Sequence, residues 1–481
     1  MLTLINTNRM APLIAPIGLD YVAGAVRTDG LAVEVLDLAL CEDPDARLRE
    51  HFRRHSSELV GLTLRNTDDC FWPSAQWFVP ALARTVSTIR TLTDAPIVLG
   101  GVGFSIFAER VVAATGADFG IRGDGEQALV ALLRELRGAR RFETVPGLIW
   151  RVDDGLRANR PSWPAPLSLA TARDNVDNAT YFVRGGQGSI ETKRGCNRHC
   201  IYCADPLAKG PTVRTRPTTE VADEVESLLA QGVDVLHLCD CEFNIPREHA
   251  LAVCQEFVRR DLGARVRWYA YLAVTPFDRE LAGAARRAGC VGINFTGDSA
   301  SAAMLRAYGQ PHRRADLART VAACRDNDIA VMIDLLLAGP GETPQTVAET
   351  IDFVKRIGPD CAGAALGVRI YPGTEMARTV AAQGPLERNP GIRRRYDGPV
   401  DFFQPTFYVS PELGPRPAEL VRGLIAGDLR FFPPADPEDY APDRRAPGDY
   451  NYNDNAPLVT AIAAGARGAY WDILRRLNHH P

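Results

Sequence analysis

Three cysteines, Cys196, Cys200 and Cys203, lie close together in the segment KRGCNRHCIYCADP, separated by three and then two residues. Thiolates hold iron–sulfur clusters, and a short loop wrapped around a cubane can present three of them at once. Three ligands for four irons leave one iron open, much as a catalytic zinc keeps one coordination position for its substrate. The spacing therefore indicates a [4Fe–4S] cluster with one open iron.

Two other interpretations of this segment use the same residues. His199 could complete a zinc site with the thiols, although its spacing is unusual for zinc. The three cysteines could also be unrelated buried thiols. The chain has 11 cysteines in 481 residues, which is not typical of the disulfide frameworks of short secreted domains. We interpret Cys239 and Cys241, which alternate along a predicted strand, as buried thiols.

The elements around these cysteines predict an α/β protein with several domains. Strand and helix patterns alternate over residues 1–145, which favours a doubly wound, Rossmann-like parallel sheet. Residues 146–188 are rich in Pro, Asn and Asp and are predicted to be a linker. Six strand candidates over 189–385 fit a partial (β/α)6 barrel, whose sites lie at the carboxyl ends of its strands. We expect the Pro-rich and aromatic region 386–481 to cover the barrel mouth and the substrate.

The C-x3-C-x2-C motif, with Tyr202 before its last cysteine and after a first barrel strand, resembles the radical S-adenosylmethionine superfamily over roughly 189–385. The resemblance implies that the open iron is chelated by S-adenosylmethionine, which the cluster normally cleaves to a 5′-deoxyadenosyl radical. It places Tyr202 near the adenine, although an ordinary core aromatic would look the same. In such enzymes the cofactor carries the chemistry, and the protein supplies position and exclusion of water.

Further positions match the motifs of this superfamily. Asp240 and Glu242 follow the second barrel strand, where the acidic motif of the family holds the ammonium of S-adenosylmethionine. Glu242 is the better match, because the usual Gly-Gly-Glu is Asp-Cys-Glu here. Asn294 and Asp298 could reach the ribose hydroxyls or could be turn residues. The Gly-rich turn that lies against the adenine and methionine portions would contain Gly339, Gly341 and Glu342.

A doubly wound domain before such a barrel resembles the cobalamin-binding subclass, over most of residues 1–385. Glycine lets the backbone approach a ligand closely, and a helix N-terminus favours phosphate. Two turns of the N-terminal domain would therefore contact the corrin, through Gly100, Gly101, Ser105, Gly123, Gly125 and Glu126. The Asp-x-His-x-x-Gly signature of a histidine-ligated cobalt is absent, and His51 and His55 are interpreted as solvated residues of a surface helix.

Arg65 and Asn66 leave the third predicted strand toward the expected corrin position. The string TLRNTDD resembles cobalamin-dependent radical enzymes, including those similar to the tryptophan 2-methyltransferases of thiopeptide biosynthesis. In these, an arginine can occupy the lower face of the cobalt without coordinating it. The alternative for Arg65 is a structural salt bridge with Asp68 or Asp69.

The leading functional prediction is a cobalamin-dependent radical C-methyltransferase that acts on an unactivated carbon of a small metabolite or natural-product intermediate. Other strings resemble ladderane-type lipid-ring and porphyrin-type cyclising members, so rearrangement or cyclisation stays open. Polar methyl transfer, as in the tryptophan methyltransferases, stays open too, and so does a non-catalytic cobalamin or iron–sulfur sensor.

The expected partners follow from the resemblance and from the composition. An electron donor such as flavodoxin or ferredoxin would reduce the cluster. The net charge of −4 predicts no nucleic-acid partner, because such partners need clustered Lys and Arg. No apolar run approaches the ~20 residues of a membrane span, so no membrane partner and a cytoplasmic location are expected.

Overall fold

Two seven-stranded β-sheets organise the chain in the computed structural model, which describes residues 1–153, 155–435 and 451–479. The first sheet belongs to the N-terminal part of the chain and the second to the barrel. Helices cover these sheets, as the alternation of strand and helix patterns predicted. Among the described helices, none is long and apolar enough to span a membrane.

The N-terminal sheet has the strand order β2-β1-β3-β4-β5-β6-β7, with the first five strands parallel. Its strands are β1 (Leu2–Asn6), β2 (Val33–Asp37), β3 (Leu59–Thr63), β4 (Ile97–Gly100), β5 (Phe119–Ile121), β6 (Leu148–Val152) and β7 (Gly155–Ala158). Its helices are α1 (Ile17–Thr28), α2 (Pro44–Arg54), α3 (Val79–Arg90), α4 (Val102–Ile106), α5 (Ala108–Thr115) and α6 (Gly125–Arg137). A parallel sheet of this order binds ligands beyond the carboxyl ends of its strands.

The region 146–188, predicted as a linker, does not consist of loop alone. β6 and β7 pair antiparallel and extend the N-terminal sheet beyond β5. The sequence PGLIWRV supplies three consecutive buried residues, Leu148, Ile149 and Trp150, which pack on the cores of this domain. The proline-rich stretch that follows carries the chain toward the barrel.

The barrel consists of parallel strands in the order β15-β14-β13-β12-β11-β8. The strands of this region are β8 (Gly188–Ile190), β9 (Lys193–Arg194), β10 (Arg214–Thr215), β11 (Val235–Leu238), β12 (Arg267–Ala273), β13 (Cys290–Asp298), β14 (Ala330–Leu337) and β15 (Cys361–Leu366). The helices are α7 (Asn178–Gly185), α8 (Asp205–Lys209), α9 (Thr218–Ala230), α10 (Arg247–Arg259), α11 (Arg279–Arg287), α12 (Ala302–Ala307), α13 (Arg314–Arg325) and α14 (Pro344–Ile357).

The six predicted barrel strands are present, and the sequence explains why they stay together. Parallel strands are covered on both faces, so they are rich in apolar residues, and the run AVMIDLLL of β14 is an example. The crossover helices start at defined caps: the Thr343 side chain accepts the Thr346 N–H at the start of α14. The α/β fold class predicted from the sequence is confirmed.

The C-terminal region adds short strands and helices to both ends of the barrel. These are β16 (Val368–Arg369), β17 (Ile392–Arg394), β18 (Thr406–Tyr408), β19 (Phe431–Phe432), α15 (Glu375–Ala381), α16 (Pro417–Ile425), α17 (Ala456–Ala463) and α18 (Tyr470–His479). Short 3-10 turns lie at Phe142–Thr144, Leu262–Ala264, Leu386–Arg388 and Pro411–Leu413. β19 pairs with β15 and becomes the seventh strand of the barrel sheet, which the sequence did not predict.

Only part of the region 386–481 lies at the mouth of the barrel. Phe402 and Tyr408 pack with Ile201 and Tyr202 of the cysteine loop, at the carboxyl ends of the strands. Helix α18 instead lies at the opposite end, where the Trp471 ring packs on Tyr269 near the start of β12. The expectation that the whole region covers the mouth is therefore wrong for α18, because the apolar barrel floor also needs a cover.

The aromatic residues of this region are mostly packed in the interior. Phe402, Phe403, Phe407 and Tyr408 are all buried, and Phe403 joins the core of the N-terminal domain. Tyr450, which the sequence suggested for a substrate pocket, lies outside the described residues.

Buried ion pairs join the N-terminal domain to the barrel. The guanidinium of Arg173 donates to Asp20 of α1 at 2.6 Å and to Glu224 of α9 at 2.7 Å. Arg369 of β16 donates to Asp68 in the loop after β3 at 2.9 and 3.0 Å. All these side chains are at most 2% exposed. Because breaking such a pair leaves a buried charge, these contacts fix the two domains against each other.

Candidate active site between the two domains

The three predicted cluster cysteines lie on one loop between β9 and α8. Backbone hydrogen bonds fix this loop: Cys196 N–H donates to Gly210 O, Cys203 N–H to Cys200 O, and Ile201 N–H to Tyr308 O, each at 3.1 Å. Gly195 begins the loop with φ +85°. The structure therefore presents all three thiols from one short, well-anchored loop.

The electrostatics of these thiols favour a bound cation. Burial raises the pKa of Cys196, raises that of Cys200 to about 12, and raises that of Cys203 well above its usual range. Neighbouring carboxylates add to the rise of the pKa for each of them, and neighbouring thiols add to it for Cys200 and Cys203. A metal ion reverses this balance, because it holds the thiolate form directly. His199, the zinc alternative, is exposed.

Asp240 and Glu242, which were predicted together, have different environments. Both oxygens of Asp240 are already hydrogen-bonded, to the Thr192 N–H at 2.8 Å, the Thr192 hydroxyl at 2.5 Å and the Lys193 N–H at 3.2 Å. Asp240 therefore holds the strand that leads into the cysteine loop, and both of its oxygens already accept hydrogen bonds within the protein. A contact of Asp240 with S-adenosylmethionine stays a prediction.

Glu242 has one oxygen available. Its Oε1 accepts the Thr296 hydroxyl at 2.8 Å, whereas Oε2 is buried without a hydrogen-bond partner among the described residues. Burial raises the pKa of this carboxyl to about 7. Glu242 and Cys200 line the same pocket, together with Arg198, Ala273, Thr275, Thr296, Gln310, Pro311 and His312. A cation in this pocket would supply the missing partner.

Tyr202 and Asp298 form a network with the cluster loop. The Tyr202 hydroxyl and the Gln310 amide both donate to Asp298 Oδ2 at 2.6 Å, and the same amide lies 3.3 Å from Cys200 Sγ. Tyr202 also packs edge-on against Tyr308. Asp298 therefore positions Tyr202 through one of its oxygens, a contact that the sequence did not predict. Burial raises the pKa of the Asp298 carboxyl to about 7.

The predicted Gly-rich turn follows β14. Gly341 has φ +83°, and a Cβ there would meet nothing within 4 Å, so its backbone is open to a ligand. A Cβ on Gly339 would collide with the Tyr308 ring, so this glycine is required by packing. Glu342 accepts the Ala338 N–H at 2.5 Å through Oε2, and its buried Oε1 has no partner in the part of the chain that the structure describes.

A polar belt lines the inside of the barrel above its apolar floor, and the sequence predicted only Asn294 of its members. Asn294 donates to Asp334 at 2.7 Å, and its own Oδ1 has no partner among the described residues. His237 and Tyr271 continue the belt with ring centroids 5.2 Å apart. Burial lowers the pKa of His237 to about 4 and raises that of Asp334 to about 6. The sequence signal that could have predicted this belt was polar residues at alternate positions of strands that are otherwise apolar.

Arg65 faces this belt from the loop after β3. Its side chain makes no ion pair and donates no hydrogen bond within the described residues, and its electrostatic neighbours are Cys239, Tyr470 and Tyr271. The side chain is accessible to solvent, and desolvation by the surrounding protein lowers the pKa of the guanidinium, which stays charged at physiological pH. The alternative salt bridge is not formed, because Asp68 pairs with Arg369 and Asp69 accepts from Asn451.

The predicted turn residues of the N-terminal domain mostly contact one another. The Ser105 hydroxyl donates to Gly101 O at 2.9 Å and accepts the Gly123 N–H at 3.1 Å. A Cβ on Gly101 would meet Leu64 O, one on Gly103 would meet the backbone of Asn66, and one on Gly123 would meet the Trp163 ring. Packing within the protein therefore explains several glycines that the sequence assigned to a ligand.

Two positions of this group differ from the rest. A Cβ on Gly100 would meet nothing closer than Ile121 O at 4.0 Å, which leaves this backbone accessible. Glu126, in contrast, pairs with Arg194 of β9 at 2.9 Å, in a position where both side chains are nearly buried. Glu126 therefore joins the two domains, and Gly125 begins α6 beside Val22.

The residues present fit the three predicted cofactors. Buried thiols on one loop suit a cluster, and the free oxygens of Glu242, Asn294 and Glu342 suit a cationic ligand that carries hydroxyls and amines. The cation of Arg65, accessible to solvent and near Cys239 and Tyr271 of the barrel, suits a ligand that lies between the two sheets. A site with this set of groups can hold a redox cluster, a sulfonium and a third group near one another.

Comparison with known proteins identifies the same organisation. Residues 190–354 match the radical SAM superfamily, and residues 4–133 match the B12 binding domain. The chain is 30% identical to the tryptophan 2-C-methyltransferase of Streptomyces laurentii, over 97% of this chain and 94% of that protein.

Two solved structures of the radical S-adenosylmethionine methyltransferase TsrM from Kitasatospora setae are similar over 99% of this chain. One contains tryptophan substrate and an S-adenosylmethionine analogue and has 31% identity, 99% coverage of that chain and a TM-score of 0.90. The other contains cobalamin and a [4Fe–4S] cluster and has 29% identity, 98% coverage and a TM-score of 0.87.

The chain therefore belongs to the cobalamin-dependent radical S-adenosylmethionine methyltransferases. The predicted family, enzyme class and cofactors are confirmed: the enzyme uses a [4Fe–4S] cluster, S-adenosylmethionine and cobalamin. The two matched segments lie within the predicted regions 1–145 and 189–385.

Proposed function

We propose that this enzyme methylates a carbon atom of tryptophan or of a closely related indole, bound between the two domains. The relative from Streptomyces laurentii is a tryptophan 2-C-methyltransferase, and a structure similar over the whole chain contains tryptophan. The observation that carries the proposal is Arg65, a solvent-accessible cation that makes no ion pair among the described residues and lies opposite the polar belt of the barrel.

Each end of the cavity would bind one part of the reacting system. Cys196, Cys200 and Cys203 would hold the cluster, and Glu242 Oε2 would accept the ammonium of S-adenosylmethionine. Asn294 Oδ1 would accept a ribose hydroxyl, and the backbone at Gly341 would lie against the nucleoside. We propose four further contacts: Tyr202, Asp298, Gly339 and Glu342. Tyr202, Asp298 and Gly339 would act mainly by shaping the pocket, whereas Glu342 has one oxygen available.

Arg65 would lie against the lower face of the corrin, with Asn66 and Gly100 beside it. When bound, cobalamin supplies a cobalt that can carry a methyl group between S-adenosylmethionine and the substrate. Arg65 cannot coordinate a metal as a cation, so it would donate no electron pair to the cobalt from that face. Gly101, Ser105, Gly123, Gly125 and Glu126 would support this surface through their contacts with one another and with Arg194.

The polar belt offers acceptors for the substrate. Asp334 has a single side-chain partner, Asn294, and lies inside the barrel beside Tyr271. A ring N–H or an ammonium group would give this carboxylate a second partner. A site built to hydrogen-bond such a donor discriminates strongly against analogues that lack it.

The direct test uses anaerobically reconstituted enzyme, tryptophan and S-adenosylmethionine with a deuterated methyl group. We expect a product that gains one labelled methyl group, and loss of this product with Arg65→Ala at unchanged cobalamin content. If S-adenosylmethionine is consumed while neither tryptophan nor its indole analogues gain a methyl group, the proposed substrate is wrong.

The same incubation separates the remaining mechanisms. Formation of 5′-deoxyadenosine in step with the methylated product indicates hydrogen abstraction, whereas its absence during turnover indicates polar methyl transfer. A product that does not gain a methyl group would indicate rearrangement or cyclisation instead. We also propose a cytoplasmic location. We further propose an electron donor such as flavodoxin or ferredoxin, and a coupled reduction assay can test this donor.

A further inference from the structure

A second cluster of possible metal ligands lies at the other edge of the N-terminal sheet, away from the site between the domains. It consists of Glu34 on β2, His51 on α2, and His55, the residue that caps the C-terminal end of α2. One ligand atom from each residue lies within 4.8 Å of the other two. Glu34 is near the start of its strand, whereas the cofactor site lies beyond the strand ends.

The fold brings these three side chains together. Glu34 pairs in register with Thr3 of β1, so both side chains point to the same face of the sheet, and α2 packs on that face. His51 and His55 are four residues apart, which places them one above the other on one side of the helix. Their rings are stacked, with centroids 4.9 Å apart and an angle of 18° between their planes.

The distances match the geometry of a shared ion better than that of an ion pair. His51 Nδ1 lies 3.6 Å from one oxygen of Glu34, and His55 Nδ1 lies 3.7 Å from the other. Both separations are too long for hydrogen bonds. Two ligands bound tetrahedrally to zinc at 2.0–2.1 Å are about 3.3 Å apart, so a small inward rotation of the side chains would suffice.

His51 also has a fixed orientation. The sequence suggested a solvated residue, but the side chain is only 1% exposed, and its Nε2 lies 3.0 Å from the Thr3 hydroxyl. This contact orients the ring and leaves Nδ1 facing Glu34, as an outer hydrogen bond does for metal-bound histidines.

We propose that Glu34, His51 and His55 bind a divalent transition-metal ion, with zinc as the best match. Two histidines and one glutamate form a ligand set known for zinc, with a fourth position for water. The ion would fasten α2 to the edge strand β2. The site would stabilise the N-terminal domain without touching the cofactors, so it does not depend on the proposed substrate.

The test is a zinc titration of enzyme already loaded with cluster and cobalamin, so that the cluster thiols are occupied. Equilibrium dialysis against buffered zinc, followed by metal analysis, gives the number of ions bound per chain. We expect one zinc in the wild type and an affinity at least about 10-fold lower in His55→Gln and in Glu34→Gln. Both side chains are partly exposed, at 42% and 34%, so these variants should fold.

Glu50→Gln is the matched control. Glu50 is an exposed carboxylate on the same helix, paired with Arg47 and Arg54 and outside the cluster. The Glu50→Gln variant should bind zinc as the wild type does. Zinc should raise the Tm of the wild type and of Glu50→Gln but not that of His55→Gln. The proposal is overturned if the wild type binds no additional zinc, or if His55→Gln and Glu34→Gln bind it as well as the wild type.

Discussion

The two sheets present very different surfaces at the site that they share. The barrel offers buried acceptors without partners among the described residues, at Glu242, Asn294 and Glu342. The N-terminal domain offers glycine turns whose neighbours fill the available space, and a serine whose hydrogen bonds are satisfied internally. We therefore expect the barrel to bind its ligand by charge and hydrogen bonds, and the N-terminal domain to bind its ligand by shape and by the cation of Arg65.

The largest expected effect concerns the contact that holds these two surfaces together. Asp68→Asn leaves the Arg369 guanidinium buried without its counter-ion, so the free energy of unfolding should fall by about 3–5 kcal/mol. Denaturant unfolding of the purified protein measures this. Asp401→Asn is the control: it removes another contact between the domains, but the Arg110 side chain of that pair is 53% exposed. Asp401→Asn should lower the free energy of unfolding by less than about 1 kcal/mol. Equal losses of stability in Asp68→Asn and Asp401→Asn would contradict the role of Asp68.

The barrel surface is tested by Glu242→Gln. A hydrogen bond to a charged group contributes about 1.5–3 kcal/mol, so the Kd for S-adenosylmethionine should rise roughly 10- to 100-fold at unchanged iron content. Asp240→Ala should instead lower the Tm, because the Thr192 and Lys193 groups lose their acceptor. If Glu242→Gln binds S-adenosylmethionine as tightly as the wild type, the carboxylate does not contact the ammonium.

The surface of the N-terminal domain is tested by two adjacent glycines. Gly100→Ala has room for its methyl group within the protein, so only cobalamin binding should weaken, by roughly 10-fold. Gly101 has φ +113°, and a Cβ there would lie 2.5 Å from Leu64 O, so Gly101→Ala should destabilise the fold by more than about 1 kcal/mol. Spectroscopic titration with cobalamin and thermal unfolding separate the two effects. Unchanged cobalamin affinity in Gly100→Ala would remove Gly100 from the site.

The smallest effect concerns the polar belt and its pH dependence. Because burial raises the pKa of Asp334 to about 6, the folded state favours the protonated carboxyl. Its contribution to stability is complete below about pH 4 and is lost as the pH rises to about 6. Between these pH values the free energy of unfolding of the wild type should fall by about 1–2 kcal/mol relative to that of Asp334→Asn, after allowance for solvent in the cavity. Parallel pH profiles of the two apo-proteins would contradict the pKa shift.

The sequence predicted the parts of this molecule whose chemistry is local. The cysteine loop, the Glu242 position and the turn at Gly341 are short motifs, and the structure places Cys200 and Glu242 around one pocket. The alternation of strands and helices was sufficient to predict both sheets, because hydrophobic periodicity is itself a local signal.

Other features depend on contacts between distant residues and could not be read from short motifs. The pairing of Asp68 with Arg369, and of Glu126 with Arg194, joins elements that are far apart in the chain. The position of α18 under the barrel floor and the burial of His51 also depend on contacts between distant residues. The glycine turns of the N-terminal domain were ambiguous, because a glycine required by packing and one required by a ligand look alike in the sequence.

The most direct test of the two-cofactor account is the metal and corrin content of a variant with Cys196, Cys200 and Cys203 all changed to alanine. We predict about four iron atoms and one cobalamin per chain in the anaerobically reconstituted wild type. The variant should lose the iron and all methyl transfer, yet retain cobalamin, because the corrin is held by the other domain. Iron content and turnover that survive in the variant would contradict the account.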